Sequence, residues 1–361
     1  MNTSENLMHV DQYFSSLKHM LDIFDKNARQ LGYNAKSIHE AAEWKENLRA
    51  KLREITGISK MQLCNPEPQL TELKEFADFR RERWLIQTEP DVWMPFYILI
   101  PTCLNSNKPF KCIIAPHGHD SAGKYAVAGR TDIPCVETVI QKFNYGYGVD
   151  FVKRGYIVFC PDARAFGERR ESAKQSDNIS DFMGSSCVQL NQMAIPLGLS
   201  VCGMWIWDLM RLIDYIETRP DCDKNHIACA GLSGGGYQSL YLAAMDDRVR
   251  CCVTSGYFFG AKESLLVNSY HCGCNYVPHL WETCDIGDIG ALIAPRPLLI
   301  ETGLQDSQNG QRGIVNVSDQ VDITRSAYIT YGVSSNLVWS TFDGPHMWNG
   351  SDTYDFIQKY N

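Results

Sequence analysis

The sequence predicts an α/β fold: a mostly parallel, eight-stranded sheet flanked by helices, preceded by a helical N-terminal extension. Three observations predict it. Strand-like apolar runs follow one another from about residue 80, segments of helical length separate the later ones, and one glycine-rich turn joins such a run directly to a helical stretch. That alternation implies right-handed crossovers and helices on both faces of the sheet. With 361 residues, 44% hydrophobic and 21% charged, the composition is that of a globular protein with a substantial core.

The elements follow in chain order. "HVDQYFSSLKHMLDIFDKNARQL" places Val10, Phe14, Leu17, Leu21 and Phe24 at three- and four-residue steps, the pattern of an amphipathic helix with one buried stripe. "SIHEAAEWKENLRAKLREITGI" repeats it after Ser37, with Glu40 three residues on as in a capping box. "CNPEPQL" breaks the pattern, so the extension is assigned to residues 1–75 and the main domain to 76–361. The strands expected there are "RERWLIQTE", "VWMPFYILIP", "KCIIAP", "GYIVFCP", "HIACAG", "RCCVTSG", "PLLIETG" and "LVWSTFD". Pro90 and Asp91 between the first two suit an antiparallel hairpin, whereas "GMWIWDLMRLIDYIETR" is a crossover helix by length and pattern.

A net charge of -8 gives no electrostatic reason to expect nucleic acid or an anionic membrane as partner. The N-terminal residues lack the pattern of a secretory signal, and no apolar run approaches membrane-spanning length, so a cytoplasmic location is expected. Fourteen cysteines are many, but Cys112, Cys160, Cys229, Cys251 and Cys252 sit in strand-like runs, where a free thiol acts as a small hydrophobe. Reduced thiols are expected rather than disulfides.

The chemistry gathers around "GLSGG", Gly231 to Gly235, which has the G-x-S-x-G pattern and lies between a short apolar strand and a helix. A glycine-rich turn with an incidental serine N-cap has the same letters. The strand before it, the helix after it and the partners further along favour Ser233 as a nucleophile. A serine nucleophile needs a histidine base, and that base needs a carboxylate to fix its tautomer. His346 follows a Gly-Pro turn after the last expected strand. Asp306, on a loop after the preceding strand, is the preferred acid, with Glu301 within that strand and Asp343 at the end of the next as alternatives. In "KCIIAPHGHDSAGK", Gly118 allows close backbone approach, and the N–H groups of His119 and Gly234 are the expected oxyanion donors. The side chains of His117 and His119 are read as holding the turn by hydrogen bonds.

"HCGCNYVPHLW" brings His271, Cys272, Cys274 and His279 within nine residues, but zinc spacing normally separates two pairs by a longer loop. It is read as an irregular loop near the active-site mouth, and neither metal nor cofactor is expected. Trp281, Trp348 and the tyrosines of "KFNYGYG" are candidate stacking surfaces for a sugar or packed core residues.

On "PHGHDSAGK", "DFVKRGYIVFCPDARAFGERRE", "WDLMRLIDYIETRPDCDKNHIACAGLSGGG", "HCGCNYVPHLW" and "FDGPHMW", the chain resembles the α/β-hydrolase superfamily, and within it the acetyl xylan esterase-like branch related to dienelactone hydrolases. The likeness covers roughly residues 80 to 350. It implies a serine esterase with Ser233, Asp306 and His346 at the triad positions and Gly118 and His119 in the oxyanion loop. Ala165 stands in "DARAFGE" where such sequences often have glycine, and Ser233 stands where dienelactone hydrolases have cysteine. The Arg-Gly-Gln signature of the oligomeric cephalosporin and acetyl xylan esterases is missing, so their acetyl specificity and hexamer do not carry over directly. The expected function is hydrolysis of short acyl, chiefly acetyl, esters of carbohydrates through an acyl-enzyme. Its partner is a small-molecule or oligosaccharide ester, and homo-oligomerisation is left open. The alternatives are a serine peptidase of prolyl-oligopeptidase type and a non-catalytic binding protein on a hydrolase fold.

Overall fold

Strand and helix alternate as the sequence implies, and the sheet they form places the turns carrying Gly118, Ser233, Gly256, Gly303 and His346 beyond the carboxyl ends of its parallel strands. The computed structural model describes residues 12–102, 109–176, 178–268 and 271–361; Val10 lies outside them. Among the described residues the strands are β1 (Gln69–Glu75), β2 (Phe79–Glu89), β3 (Val92–Pro101), β4 (Phe110–Ile114), β5 (Ile157–Pro161), β6 (Cys222–Leu232), β7 (Cys251–Ser255), β8 (Leu298–Gly303) and β9 (Leu337–Phe342). They form one sheet in the order β1-β2-β3-β5-β4-β6-β7-β8-β9. The β1–β2, β2–β3 and β3–β5 pairs are antiparallel, and all pairs from β5–β4 to β8–β9 are parallel. The expected hairpin is β2–β3, turning through Asp91 at φ 64°.

Two departures from the expected layout have physical causes. β1 was not anticipated, and residues 69–75 of the supposed helical extension are strand: β1 is an edge strand exposed along its whole length, so it carries no buried alternation to read. Helix Leu17–Asn27 buries none of its residues; Leu21 and Phe24 are only half-buried, and Phe14 is exposed. Helix Ile38–Ile55 does bury a stripe, Ala41, Leu48 and Leu52, which joins the main core. Ser37 Oγ accepts from Glu40 N at 3.2 Å, while the Glu40 carboxylate reaches back to Lys36 N rather than to Ser37 N.

The central parallel strands β5, β7 and β8 are buried along their whole length on both faces, as such a sheet requires, while the edge strand β9 is only partly buried. In β4, Cys112 and Ile114 join one apolar cluster and Ile113 the other; in β5, Ile157 and Phe159 are divided from Val158 and Cys160 in the same way. Helix Val201–Thr218, capped by Ser200 onto Gly203 N, covers the first face with Trp205, Leu209, Leu212 and Ile216 buried. Among the described residues no single helix is long and apolar enough to cross a membrane. Every described cysteine is a free thiol.

β5 and β6 lie on opposite sides of β4, so successive crossovers leave this part of the sheet in opposite directions. At such a switch point the loops beyond the strands' carboxyl ends diverge and leave a crevice. The turns after β4, β6, β7, β8 and β9 all open there, and they carry the residues singled out from the sequence.

Candidate active site

Ser233 follows β6 directly and precedes helix Gly234–Met245. Its backbone has φ 59° and ψ −121°, a sparsely populated region for a residue with a side chain, which costs roughly 1–3 kcal/mol. Glycines make the turn possible. A Cβ on Gly231 would lie 2.6 Å from the Gly235 backbone, and one on Gly235 would lie 2.3 Å from Pro116 O. The turn is fixed by Ser233 N donating to Ser255 O at 2.8 Å. Such a strained serine, held by its surroundings, is the geometry of an exposed nucleophile.

His346 and Asp306 meet: Nδ1 lies 2.7 Å from Asp306 Oδ2. Asp306 is nearly fully buried, and its Oδ1 accepts from Gln308 N at 2.8 Å. The two loops are laced together, since Leu304 N donates to Phe342 O and Gln305 N to Gly344 O, both at 2.9 Å. Gly303 is needed for this packing, because a Cβ there would lie 2.6 Å from the carbonyl oxygens of Gly344 and Pro345. Gly256, just after β7, has φ 60°, and a Cβ there would lie 2.9 Å from His346 Cε1. The imidazole therefore rests on the segment to which Ser233 is hydrogen-bonded, and both side chains line one cavity of about 280 Å³.

The alternative acids have other work. Glu301 is buried and accepts from Ser255 Oγ at 2.7 Å, Asn349 N at 3.0 Å and Gly350 N at 2.6 Å, anchoring the loop beyond His346. Burial raises its pKa despite these bonds. Asp343 accepts from Gln305 Nε2 at the exposed side of the turn.

The loop after β4 is over-determined. Ser121 Oγ donates to Gly118 O at 2.7 Å, and Asp162 accepts from Lys124 N at 2.8 Å while pairing with the buried Lys124 ammonium. Gln238 Nε2, on the helix after Ser233, donates to His117 O at 3.0 Å. Neither His119 N nor Gly234 N donates to another described residue, which leaves two backbone donors free beside Ser233. Gly118 is required by Tyr145 rather than by a ligand: a Cβ there would lie 2.1 Å from Tyr145 Oη. Burial drives the pKa of that hydroxyl up. The sequence reading missed Tyr145 at this position. Its tyrosine cluster is packed core: Tyr147 Oη donates to Pro116 O, and Trp348 stacks on Tyr147 at 4.5 Å. Trp281 packs against Phe24, away from Ser233. Ala165 has φ 75°, which accounts for glycine in similar sequences.

His117 holds its turn as expected. Its Nε2 accepts from Ala163 N at 3.1 Å, and Nδ1 donates to Gly118 O at 2.8 Å, so the ring is neutral with one tautomer used at both ends. Burial lowers its pKa to about 4, outweighing the nearby Asp162. Between pH 4 and 6.5 the unfolded chain binds a proton there that the folded chain does not, so this contribution to stability is lost as pH falls. Relative to His117→Gln, the wild-type chain should lose roughly 3 kcal/mol across that window in denaturant titrations at successive pH values. Parallel pH profiles for the two chains would contradict the neutral, buried assignment.

The cysteine–histidine stretch is split by the fold. His279 is exposed and its Nδ1 lies 2.7 Å from Glu282 Oε2, far from any thiol contact. His119 takes its place: Nε2 lies 3.3 Å from Cys274 Sγ. His119, Cys272 and Cys274 have ligand atoms all within 4.8 Å of one another. The neighbouring thiols and His119 pull the Cys272 pKa down, while burial pushes those of Cys187 and Cys274 up.

A strained serine at the switch point of a mostly parallel sheet, with a histidine–aspartate pair in the same crevice, defines an α/β-hydrolase. The chain belongs to the Abhydrolase family, whose model matches residues 9–327. Over 231 residues it is 26% identical to YtaP of Bacillus subtilis (strain 168), named as a proposed hydrolase, covering 57% of this chain and 72% of that one. A Bacteroides fragilis NCTC 9343 structure, named as a proposed acetyl xylan esterase, superposes with a TM-score of 0.74 at 21% identity, covering 97% of this chain and 90% of that one. A glucuronoyl esterase from Solibacter usitatus gives 0.64 at 14% identity, over 92% and 95%. A methylesterase, BT1017, gives 0.63 at 16% identity, over 96% and 67%. The expected resemblance to the acetyl xylan esterase-like branch is thus met at the level of family and fold, and these fold neighbours are named as carboxylic ester hydrolases.

Proposed function

We propose that the chain is a serine carboxylesterase acting on short acyl, chiefly acetyl, esters of carbohydrates. The observation that carries this reading is the 2.7 Å contact between His346 Nδ1 and Asp306 in the cavity that Ser233 also lines. Asp306 accepts from Nδ1–H and so leaves Nε2 free as the base. In the acylation step Nε2 takes the Ser233 proton as Oγ attacks the ester carbonyl, and the N–H groups of His119 and Gly234 hold the negative charge that develops on the carbonyl oxygen. His346 then returns the proton to the departing sugar hydroxyl. Water, deprotonated by the same ring, releases the acyl group as the acid. The strain at Ser233 is in place before substrate arrives, so no reorganisation is needed at the moment of attack.

The small cavity supports a short acyl group, and the names of the fold neighbours support a carbohydrate ester. A panel of acetylated sugars, aryl esters of increasing acyl length and aminoacyl aryl amides tests this. Acetyl esters should be cleaved faster than butyryl or longer ones, and amides hardly at all. A higher kcat/KM for aminoacyl amides than for acetates would replace the esterase reading with the peptidase one.

A further inference from the structure

We propose that His119 Nε2 and the thiolates of Cys272 and Cys274 form a binding site for a thiophilic divalent cation of the zinc class, tying the loop after β4 to the Cys272–Cys274 turn. This proposal does not rest on the esterase reading. A tetrahedral ion with bonds of about 2.3 Å to sulfur and about 2.0 Å to nitrogen holds its donor atoms roughly 3.5–3.8 Å apart. The 3.3 Å separation of His119 Nε2 and Cys274 Sγ, and the 4.8 Å limit containing the Cys272 sulfur as well, match that with little adjustment. Among the described residues this is the one group of three or more histidine, cysteine and acidic side chains that converges in this way.

The surroundings of the ligands are those of a supported metal site. Asn275 Nδ2 donates to Cys274 Sγ at 3.5 Å and to Cys272 O at 3.1 Å, and its orientation is fixed by Tyr257 Oη donating to Asn275 Oδ1 at 2.5 Å. An amide hydrogen on a ligating sulfur is the kind of outer contact that holds thiolates in place. The imidazole is oriented independently of the thiols. Phe166 packs edge-on against it at 5.4 Å, and a Cβ on Gly234 would lie 2.7 Å from its Nδ1, so Nε2 is the nitrogen left to face the sulfurs. Gly273, between the two cysteines of the turn, packs against Cys187 O at 3.4 Å from its Cβ position. The ligands come from two separated parts of the chain, which is why the spacing of "HCGCNYVPHLW" alone does not display the site. Three protein donors leave the fourth position to a water or other small ligand, and the bound ion fixes the His119 ring, and through it the loop that carries the His119 N–H. Binding requires the thiols to lose their protons, so protons are released to solvent as the ion enters.

The test uses the full chain, kept reduced with a phosphine, and titrates it with Zn2+ in competition with a chelating dye and with Co2+ by absorption. One equivalent per chain, with the thiolate-to-cobalt charge-transfer band of a tetrahedral sulfur site, is expected. Cys272→Ser and Cys274→Ser should each weaken binding by about 100-fold or more. Because those variants could misfold, alkylation of the wild-type chain gives a second reading: Zn2+ should protect the half-buried Cys272, identified by peptide mass, while leaving the similarly accessible Cys64 and Cys135 reactive. Absence of stoichiometric binding by the reduced chain, binding unaltered in folded Cys272→Ser and Cys274→Ser chains, or a disulfide within the cluster with no metal uptake after its reduction would each overturn the proposal.

Discussion

Ser233→Ala should lower hydrolysis of an acetyl ester by about 10⁴-fold or more, with thermal unfolding nearly unchanged. The hydroxyl is the atom that forms the acyl bond in the proposed reaction, and nothing else in the turn depends on it. Ser233 N still donates to Ser255 O, and Tyr237 N still donates to Ser233 O at 2.8 Å. Alanine inherits the strained φ of 59°, so no relief of strain confuses the comparison. Steady-state rates on one ester, beside a melting curve, are sufficient. A variant retaining a tenth of wild-type kcat/KM would remove Ser233 from the mechanism.

Asp306→Asn should cost roughly 10³- to 10⁴-fold in kcat. Gln308 N donates to Oδ1, so the asparagine oxygen is held on that side and its NH2 group turns toward His346. An N–H facing Nδ1 forces the imidazole to carry its proton on Nε2, where the base must be free. Glu301→Gln provides the contrast. It introduces an N–H among donors that Glu301 now accepts from, so it should cost stability, of order 1–3 kcal/mol, far more than turnover. Asp343→Asn, at an exposed turn, should be close to silent. If Glu301→Gln abolishes turnover while Asp306→Asn is mild, the acid belongs on the strand end.

Much of this arrangement was legible because local sequence and local structure coincide. The elbow, the oxyanion loop and the loop of His346 are each a strand end followed by glycine-bearing segments, and the pattern of apolar runs placed those strand ends at one sheet edge. Asp306 could be preferred over Glu301 because a residue within a strand is held by its neighbours, and Glu301 is indeed occupied by Ser255, Asn349 and Gly350. What escaped was whatever depends on contacts between distant segments. Tyr145 packs on Gly118 from the turn that follows helix Pro134–Phe143, and nothing in "KFNYGYG" signals that. His119 joins Cys272 and Cys274 across the fold, while His279, a neighbour in sequence, pairs elsewhere with Glu282. β1 was invisible because an exposed edge strand shows no alternation.

The central claim, that Ser233 is a nucleophile activated by His346, is tested most directly by labelling with a fluorophosphonate and locating the adduct by peptide mass. The account predicts stoichiometric modification of the peptide containing Ser233, and strongly reduced labelling in His346→Ala. No modification of a catalytically active chain, an adduct on Cys272 or Cys274 in place of Ser233, or labelling of His346→Ala at the wild-type rate would contradict it.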